Sequence, residues 1–249
     1  SAADHRALRE SVGMYDMSSF GKLRVEGPEA EAFLNHICGN DMSVPAGRIV
    51  YTQFLNESGG IEADVTVTRL SGTTYLVVTP AATRPADQHW MERHVGSFRV
   101  TITDVTAAEG VLAVMGPKAR ELMARVSPDD FSNAAHPFGT AREIEIGLGL
   151  ARAHRVSYVG ELGWEIFVSA DMAAHVFETL ADSAVRLCEG HATILRFDGQ
   201  VLRMVVARNV AAKTREFLER NPLALGRQSG AARAALERRT IHIHDIRTD

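Results

Sequence analysis

"FGKLRVEGPEAEAFLNHI" (20–37) and "GVLAVMGPKARELMARV" (110–126) carry one pattern twice. In the first, Leu23 and Val25 alternate as in a strand. Gly27-Pro28 then opens a helix, with proline at its first turn and Glu29 and Glu31 near the positive end of its dipole. Ala30, Phe33, Leu34 and Ile37 fall at i, i+3, i+4 and i+7, which is one apolar helix face. In the second, a strand leads to Gly116-Pro117, and Ala119, Leu122, Met123 and Val126 repeat that spacing. The flanks match as well. A strand pair around Gly59-Gly60 and a helical stretch "ADQHWMERHVG" follow the first copy. A strand pair around Gly160 and Gly163 and "DMAAHVFETLADSA" follow the second. The spacing predicts an α+β fold: duplicated β-α-β-β-α units forming antiparallel sheets with helices on one face.

The chain has 249 residues, enough for one large domain or two smaller ones at roughly 100–200 residues each. Apolar residues make up 45% and charged residues 23%, an ordinary globular balance. A net charge of −4 gives no electrostatic case for nucleic acid or an anionic membrane surface. No apolar run approaches the roughly 20 residues that span a bilayer, and the polar start "SAADHRALRE" is no secretory signal. Cys38 and Cys188 are the two cysteines and lie far apart, so a reducing cytoplasmic location is the expectation. Both follow apolar helix faces and read as small core residues.

Two carboxylates stand inside apolar strands: Asp64 in "NESGGIEADVTVTRL" (56–70) and Glu165 in "RVSYVGELGWEIFV" (155–168). Each follows a glycine-containing turn, in what read as corresponding places of the two repeats. The plain reading puts such acids on a solvent face, Glu165 merely alternating with Trp164 and Ile166. The functional reading brings both to one cleft. A carboxylate accepts two parallel hydrogen bonds and so fits a ligand edge with adjacent N–H donors, such as an aminopyrimidine. A second carboxylate holds an amine that becomes cationic during reaction.

"VGMYDMSSFGKLRVEGPEAEAFL" (12–34), "NESGGIEADVTVTRL" and "YVGELGWEIFV" (158–168) resemble the folate-binding aminomethyltransferase domain of the glycine-cleavage T-protein, which also ends the sarcosine and dimethylglycine dehydrogenases. "YLVVTPAATRPADQHW" (75–90) is closer to the dehydrogenase branch, since the T-protein branch has Asn where Thr79-Pro80 stand. The resemblance implies tetrahydrofolate as cofactor. It implies transfer of a one-carbon unit from an aminomethyl or iminium donor to give 5,10-methylenetetrahydrofolate. By the same resemblance Asp64 is the catalytic acid and Glu165 grips the pterin. Tyr51, Thr66, Val78, Ile166 and Phe167 line the folate site. Tyr158 stands beside them, either at the site or in the core. The partners implied are folate, an amine-derived donor, and a flavin dehydrogenase domain that is separate or lost. No GxGxxG follows a strand, so no flavin site is expected in this chain.

The family's further segment, with a folate-contacting arginine and a C-terminal β-barrel, has no match here. From about residue 177, "FETLADSAVRLCEGHATILRFDGQVLRMVVARN" and "NPLALGRQSGAARAALERRTIHIHDIRTD" instead resemble the first half of a GAF domain, a small-molecule sensor of signalling proteins. The expected organisation is therefore 1–180 as a truncated folate domain and 181–249 as a partial GAF-like α/β segment. Within the latter, 191–199 and 200–209 read as a hairpin, 211–221 and 229–239 as helices, and 240–246 as a strand. His242 and His244 on that strand are too few for a metal site, so no metal is expected. Two rival readings remain: a sensing protein defined by the tail, and a folate-domain remnant without catalysis.

Overall fold

In the computed structural model, which describes residues 8–188, 192–197, 201–208, 211–221 and 223–224, the two copies build two facing sheets. The chain enters through β1 (Gly13–Asp16) and β2 (Gly21–Glu26), turns into α1 (Ala30–Ile37), and lays down β3 (Ile49–Leu55), β4 (Ile61–Arg69) and β5 (Thr74–Thr79). After α2 (Arg84–His94) and β6 (Thr101–Asp104) the pattern restarts. It runs through β7 (Glu109–Met115), α3 (Ala119–Val126), β8 (Ala141–Ile146), β9 (Gly149–His154), β10 (Gly163–Ser169) and α4 (Ala173–Cys188).

The first sheet has the order β3-β4-β5-β2-β6 and the second β8-β9-β10-β7-β1. The pairings are antiparallel, and the two orders are topologically the same. Two details differ from the expectation. Each unit holds three strands between its helices, where the glycine turns suggested two. "TYLVVT" (74–79) shows no alternation because β5 is covered on both sides, by helices on one and the second sheet on the other. The outermost strands are also exchanged: β1 precedes the first unit yet pairs with β7 of the second sheet.

The Gly-Pro pairs have a steric cause. Gly27 and Gly116 hold φ of +148° and +136°. A Cβ on Gly27 would collide with the Arg99 carbonyl oxygen beside Val100, and one on Gly116 with the Ser11 carbonyl oxygen beside Val12. The same corner in each copy is crossed closely by another stretch of backbone, and only glycine leaves it room.

Each sheet buries one face under its helices. Ala30, Phe33, Leu34 and Ile37 pack on Leu23, Val25, Val65 and Val67. Ala119, Leu122, Met123 and Val126 pack on Val114, Ile144, Trp164 and Ile166. The predicted helix faces are thus the buried ones. The other faces meet through Leu76, Val78, Val111 and Phe167. Fully buried Lys22 lies on this side and donates through Nζ to the Ser18 and Phe20 carbonyls at 2.9 and 3.0 Å. Burial pushes its ammonium pKa down.

Beyond α4, β11 (Ala192–Phe197) and β12 (Val201–Arg208) pair as the predicted hairpin, with α5 (Ala212–Arg220) at the predicted helix and β13 (Leu223–Ala224) completing a third sheet. Helix α4 runs unbroken across residue 180. The helix read at 229–239, the strand at 240–246 and His242 and His244 lie outside the described residues, as does much of the GAF-like segment.

Candidate functional site

The face of β10 opposite Trp164 and Ile166 turns to the first sheet. Trp164 and Ile166 are fully buried against α3 and α4, and the Trp164 indole N–H donates to His136 Nδ1 at 3.3 Å. Glu165 therefore projects the other way. That face is not solvent: it opens on a cavity of about 190 Å³ between the sheets. Glu165 stands mid-strand, flanked across the ladders by Ala113 on β7 and His154 on β9. Ala113 is small enough to leave the carboxylate room. Among the described residues no hydrogen bond or ion pair reaches it, and burial raises its pKa to about 7.

Asp64 reaches the same cavity from the first sheet. The β4–β5 ladder runs only as far as Thr66↔Val78. Beyond it Pro80, which has no N–H to offer a ladder, turns the chain into the approach to α2. The stretch of β4 that carries Asp64 is thus paired on one side only, with β3. Asp64 is exposed at the rim. Its Oδ2 accepts from the Tyr51 hydroxyl at 2.6 Å and its Oδ1 from the Gln53 amide at 2.9 Å. The hydrogen bond from Tyr51 to Asp64 raises the phenol pKa above its usual value.

The two acids share a cavity without occupying equivalent places, which corrects the reading of their turns. Asp64 lies on the second strand after its unit's first helix and Glu165 on the third. The glycine turns that precede them, β3–β4 and β9–β10, are different turns of the repeat.

Tyr51, Thr66, Val78 and Tyr158 also line the cavity. Tyr51 is 59% and Tyr158 73% exposed, so both stand at its mouth rather than in the core. Tyr158 packs edge-on against Phe20 with ring centroids 6.3 Å apart. Ile166 and Phe167 are not among the lining residues. Strand alternation turns Ile166 into the helix-covered core. Phe167 lies behind the wall, packed with Val78 and Val111 and tilted against the His154 ring at 4.2 Å. Met17, Phe20, Val65, Thr79, Pro80 and Val111 complete the lining and were not singled out as site residues. Phe20 and Thr79-Pro80 lie within the matching stretches, but only the sheet-to-sheet packing puts them here. Buried Asp87 of α2 accepts from the hydroxyls of Thr79 and Thr83, which ties the Thr79-Pro80 wall to that helix.

A half-buried acid without a partner, at the bottom of an apolar cavity, suits a ligand edge bearing N–H donors. An exposed acid held by two donors at the rim suits a group that gains positive charge. Among the described residues there is no cluster of three metal-ligating side chains. Nor is any helix there long and apolar enough to cross a membrane. Burial pushes the Cys38 thiol up to about 12, so it is no ready nucleophile.

Comparison with known proteins shows the family and the fold. The chain is 41% identical over 195 residues to the 4-methylaminobutanoate oxidase (formaldehyde-forming) of Paenarthrobacter nicotinovorans, which covers 77% of this chain and 24% of that protein. It is 32% identical over 184 residues to the aminomethyltransferase of Listeria welshimeri, covering 74% of this chain and 50% of that one. The chain thus spans about half the length of the aminomethyltransferases it matches and about a quarter of the oxidase. The crystal structure of glycine cleavage system aminomethyltransferase T from Bartonella henselae superposes with a TM-score of 0.65 at 27% identity, over 73% of this chain and 49% of that one. The heterotetrameric sarcosine oxidase of Corynebacterium sp. U-96, at 18% identity and a TM-score of 0.59, shares the fold. The family model for the GCVT N-terminal domain matches residues 1–204 and so continues past the change of family expected near residue 181. The chain belongs to the GCVT N-terminal domain family.

Proposed function

We propose that the cavity takes the pterin headgroup of tetrahydrofolate, and that the chain serves transfer of a one-carbon unit from an aminomethyl or iminium donor to give 5,10-methylenetetrahydrofolate. The observation that carries this is Glu165, an unpartnered carboxylate facing an apolar cavity that Asp64 shares. Its two oxygens accept a pair of parallel N–H donors, and such a pair replaces the water lost on burial. The cavity of about 190 Å³ is below the roughly 300–1,000 Å³ of sites that enclose a whole drug-sized ligand. It therefore suits one ring system, with the remainder leaving between Tyr51 and Tyr158.

Tetrahydrofolate would supply the nucleophilic amine that receives the one-carbon unit. The chain's own part is electrostatic and positional. Glu165 fixes the ring edge. Asp64, held by Tyr51 and Gln53, presents a fixed negative charge where an amine becomes cationic. Phe167 supports the wall from behind, and Ile166 acts only by packing under β10. The oxidase relative, matched over a quarter of its length, favours a donor generated by an amine-oxidising flavin domain or partner. Titration with tetrahydrofolate tests the reading. Saturable binding is expected in the wild type, lost in Glu165→Ala, and kept without methylene transfer in Asp64→Ala. A wild type that does not bind tetrahydrofolate overturns it.

A further inference from the structure

We propose that Gln53 is the positioning residue of Asp64: it holds the second oxygen of the carboxylate so that the acid presents one fixed orientation to the cavity. Gln53 is not a cavity-lining residue, so it acts on the cavity through its neighbours Asp64 and Tyr51. This rests on the folate reading of the cavity.

Three observations carry it. Gln53 and Asp64 are direct cross-strand partners on β3 and β4, and Tyr51 faces Thr66 two residues along the same ladder. The two side chains that grip Asp64 therefore leave adjacent same-face positions of one rigid strand. They divide the carboxylate between them, Tyr51 on Oδ2 and Gln53 on Oδ1. Finally, β4 lacks a partner on the β5 side at this point, because the ladder ends at Thr66↔Val78. The flank of Asp64 toward the cavity is left open, and restraint comes from the β3 side alone.

A carboxylate held by one donor still turns about its last bond. With two donors on opposite oxygens its plane is fixed, and each oxygen keeps acceptor capacity. Tyr51 is 59% exposed at the mouth, where an incoming ligand competes for its hydroxyl. Gln53 is the more shielded of the two and would keep its grip while Tyr51 rearranges.

The test uses the full chain with Gln53→Leu and Gln53→Glu. The first removes the amide. The second keeps its shape, removes the donor and sets a like charge opposite Asp64. At pH 8, kcat for methylene transfer is expected to fall about tenfold in Gln53→Leu and further in Gln53→Glu, with the KM for tetrahydrofolate within about twofold of wild type. A role in packing alone gives the opposite order, Gln53→Glu close to wild type and Gln53→Leu worse.

A second readout is independent of turnover. Tyr51 titrates high because its hydroxyl is bonded to Asp64. Gln53 draws the Tyr51 midpoint down, so in Gln53→Leu, where Tyr51 is left as the remaining donor to the carboxylate, the midpoint, followed by 13C NMR of labelled tyrosine, moves further above the usual phenol value. A fall in kcat with an unmoved Tyr51 midpoint overturns the proposal, as does a moved midpoint with unchanged kcat. If the wild type transfers no methylene group, the folate reading fails. The Tyr51 titration then decides whether Gln53 belongs to the hydrogen-bonded group around Asp64.

Discussion

Replacing Glu165 with glutamine is expected to stabilise the ligand-free protein, by an amount that grows from pH 4.5 and is complete above about pH 7. The carboxyl ordinarily titrates near 4.5, and burial without a partner lifts it to about 7. A raised acid favours the protonated form in the folded state. Between pH 4.5 and about 7 the native protein thus holds more proton than the unfolded chain, and stability falls as pH rises through that window. The displacement amounts to about 3 kcal/mol once both states are ionised, at about 1.4 kcal/mol per pH unit. Glutamine has the same shape and no charge, so it does not incur this cost. The Gln variant should therefore exceed wild type by about 3 kcal/mol at pH 8 and by about half that at pH 5.5. The two should nearly coincide at pH 4.5. In a chain of this size that is a rise in Tm of about 6 °C or more at pH 8. Paired thermal melts at the three pH values, followed by circular dichroism, read it directly. A pH-independent gap, or a wild type that is the more stable at pH 8, would show that Glu165 is already partnered or solvated. The case for an unsatisfied recognition group would then collapse.

The same group governs ligand affinity. A pair of N–H donors needs the ionised carboxylate, so tetrahydrofolate binding should release protons below pH 7 and weaken by up to tenfold per pH unit. Isothermal titration in two buffers of different ionisation enthalpy measures this. Alanine at Gly27 or Gly116 should cost about 3 kcal/mol or more in urea denaturation, because the new Cβ meets another segment's backbone at a positive φ. Serine at Gly59, whose φ is also positive but whose Cβ site is open, should cost about 1–2 kcal/mol. Trp164→Phe should destabilise by about 1–3 kcal/mol, since it leaves buried His136 without its indole donor. A Trp164→Phe protein with unchanged denaturation would mean that this bond carries no weight.

The local periods determined much of this molecule. Apolar spacing at 3.6 residues placed α1 and α3 and named their buried faces correctly, because a helix face is set by neighbours along the chain. The repeated Gly-Pro corner disclosed the duplication, because one backbone conformation forces one residue choice. Alternation around Glu165 separated it from Trp164 and Ile166 and left open what lay on its side. That depended on the first sheet, whose Asp64 lies about a hundred residues earlier in the chain. In the first unit the strand that was missed is β5, which is covered on both sides and loses the two-residue rhythm that marks a half-buried strand; in the second it is β8, which keeps that rhythm. The exchange of β1 into the second sheet left no trace in its four residues. Strand pairing is a contact between segments distant in sequence, and a short strand does not encode its partner. The cavity belongs to the same class of fact. Met17, Phe20, Pro80 and Val111 read as ordinary apolar residues along the chain, and become its walls only because two sheets stop short of full contact around a pair of acids.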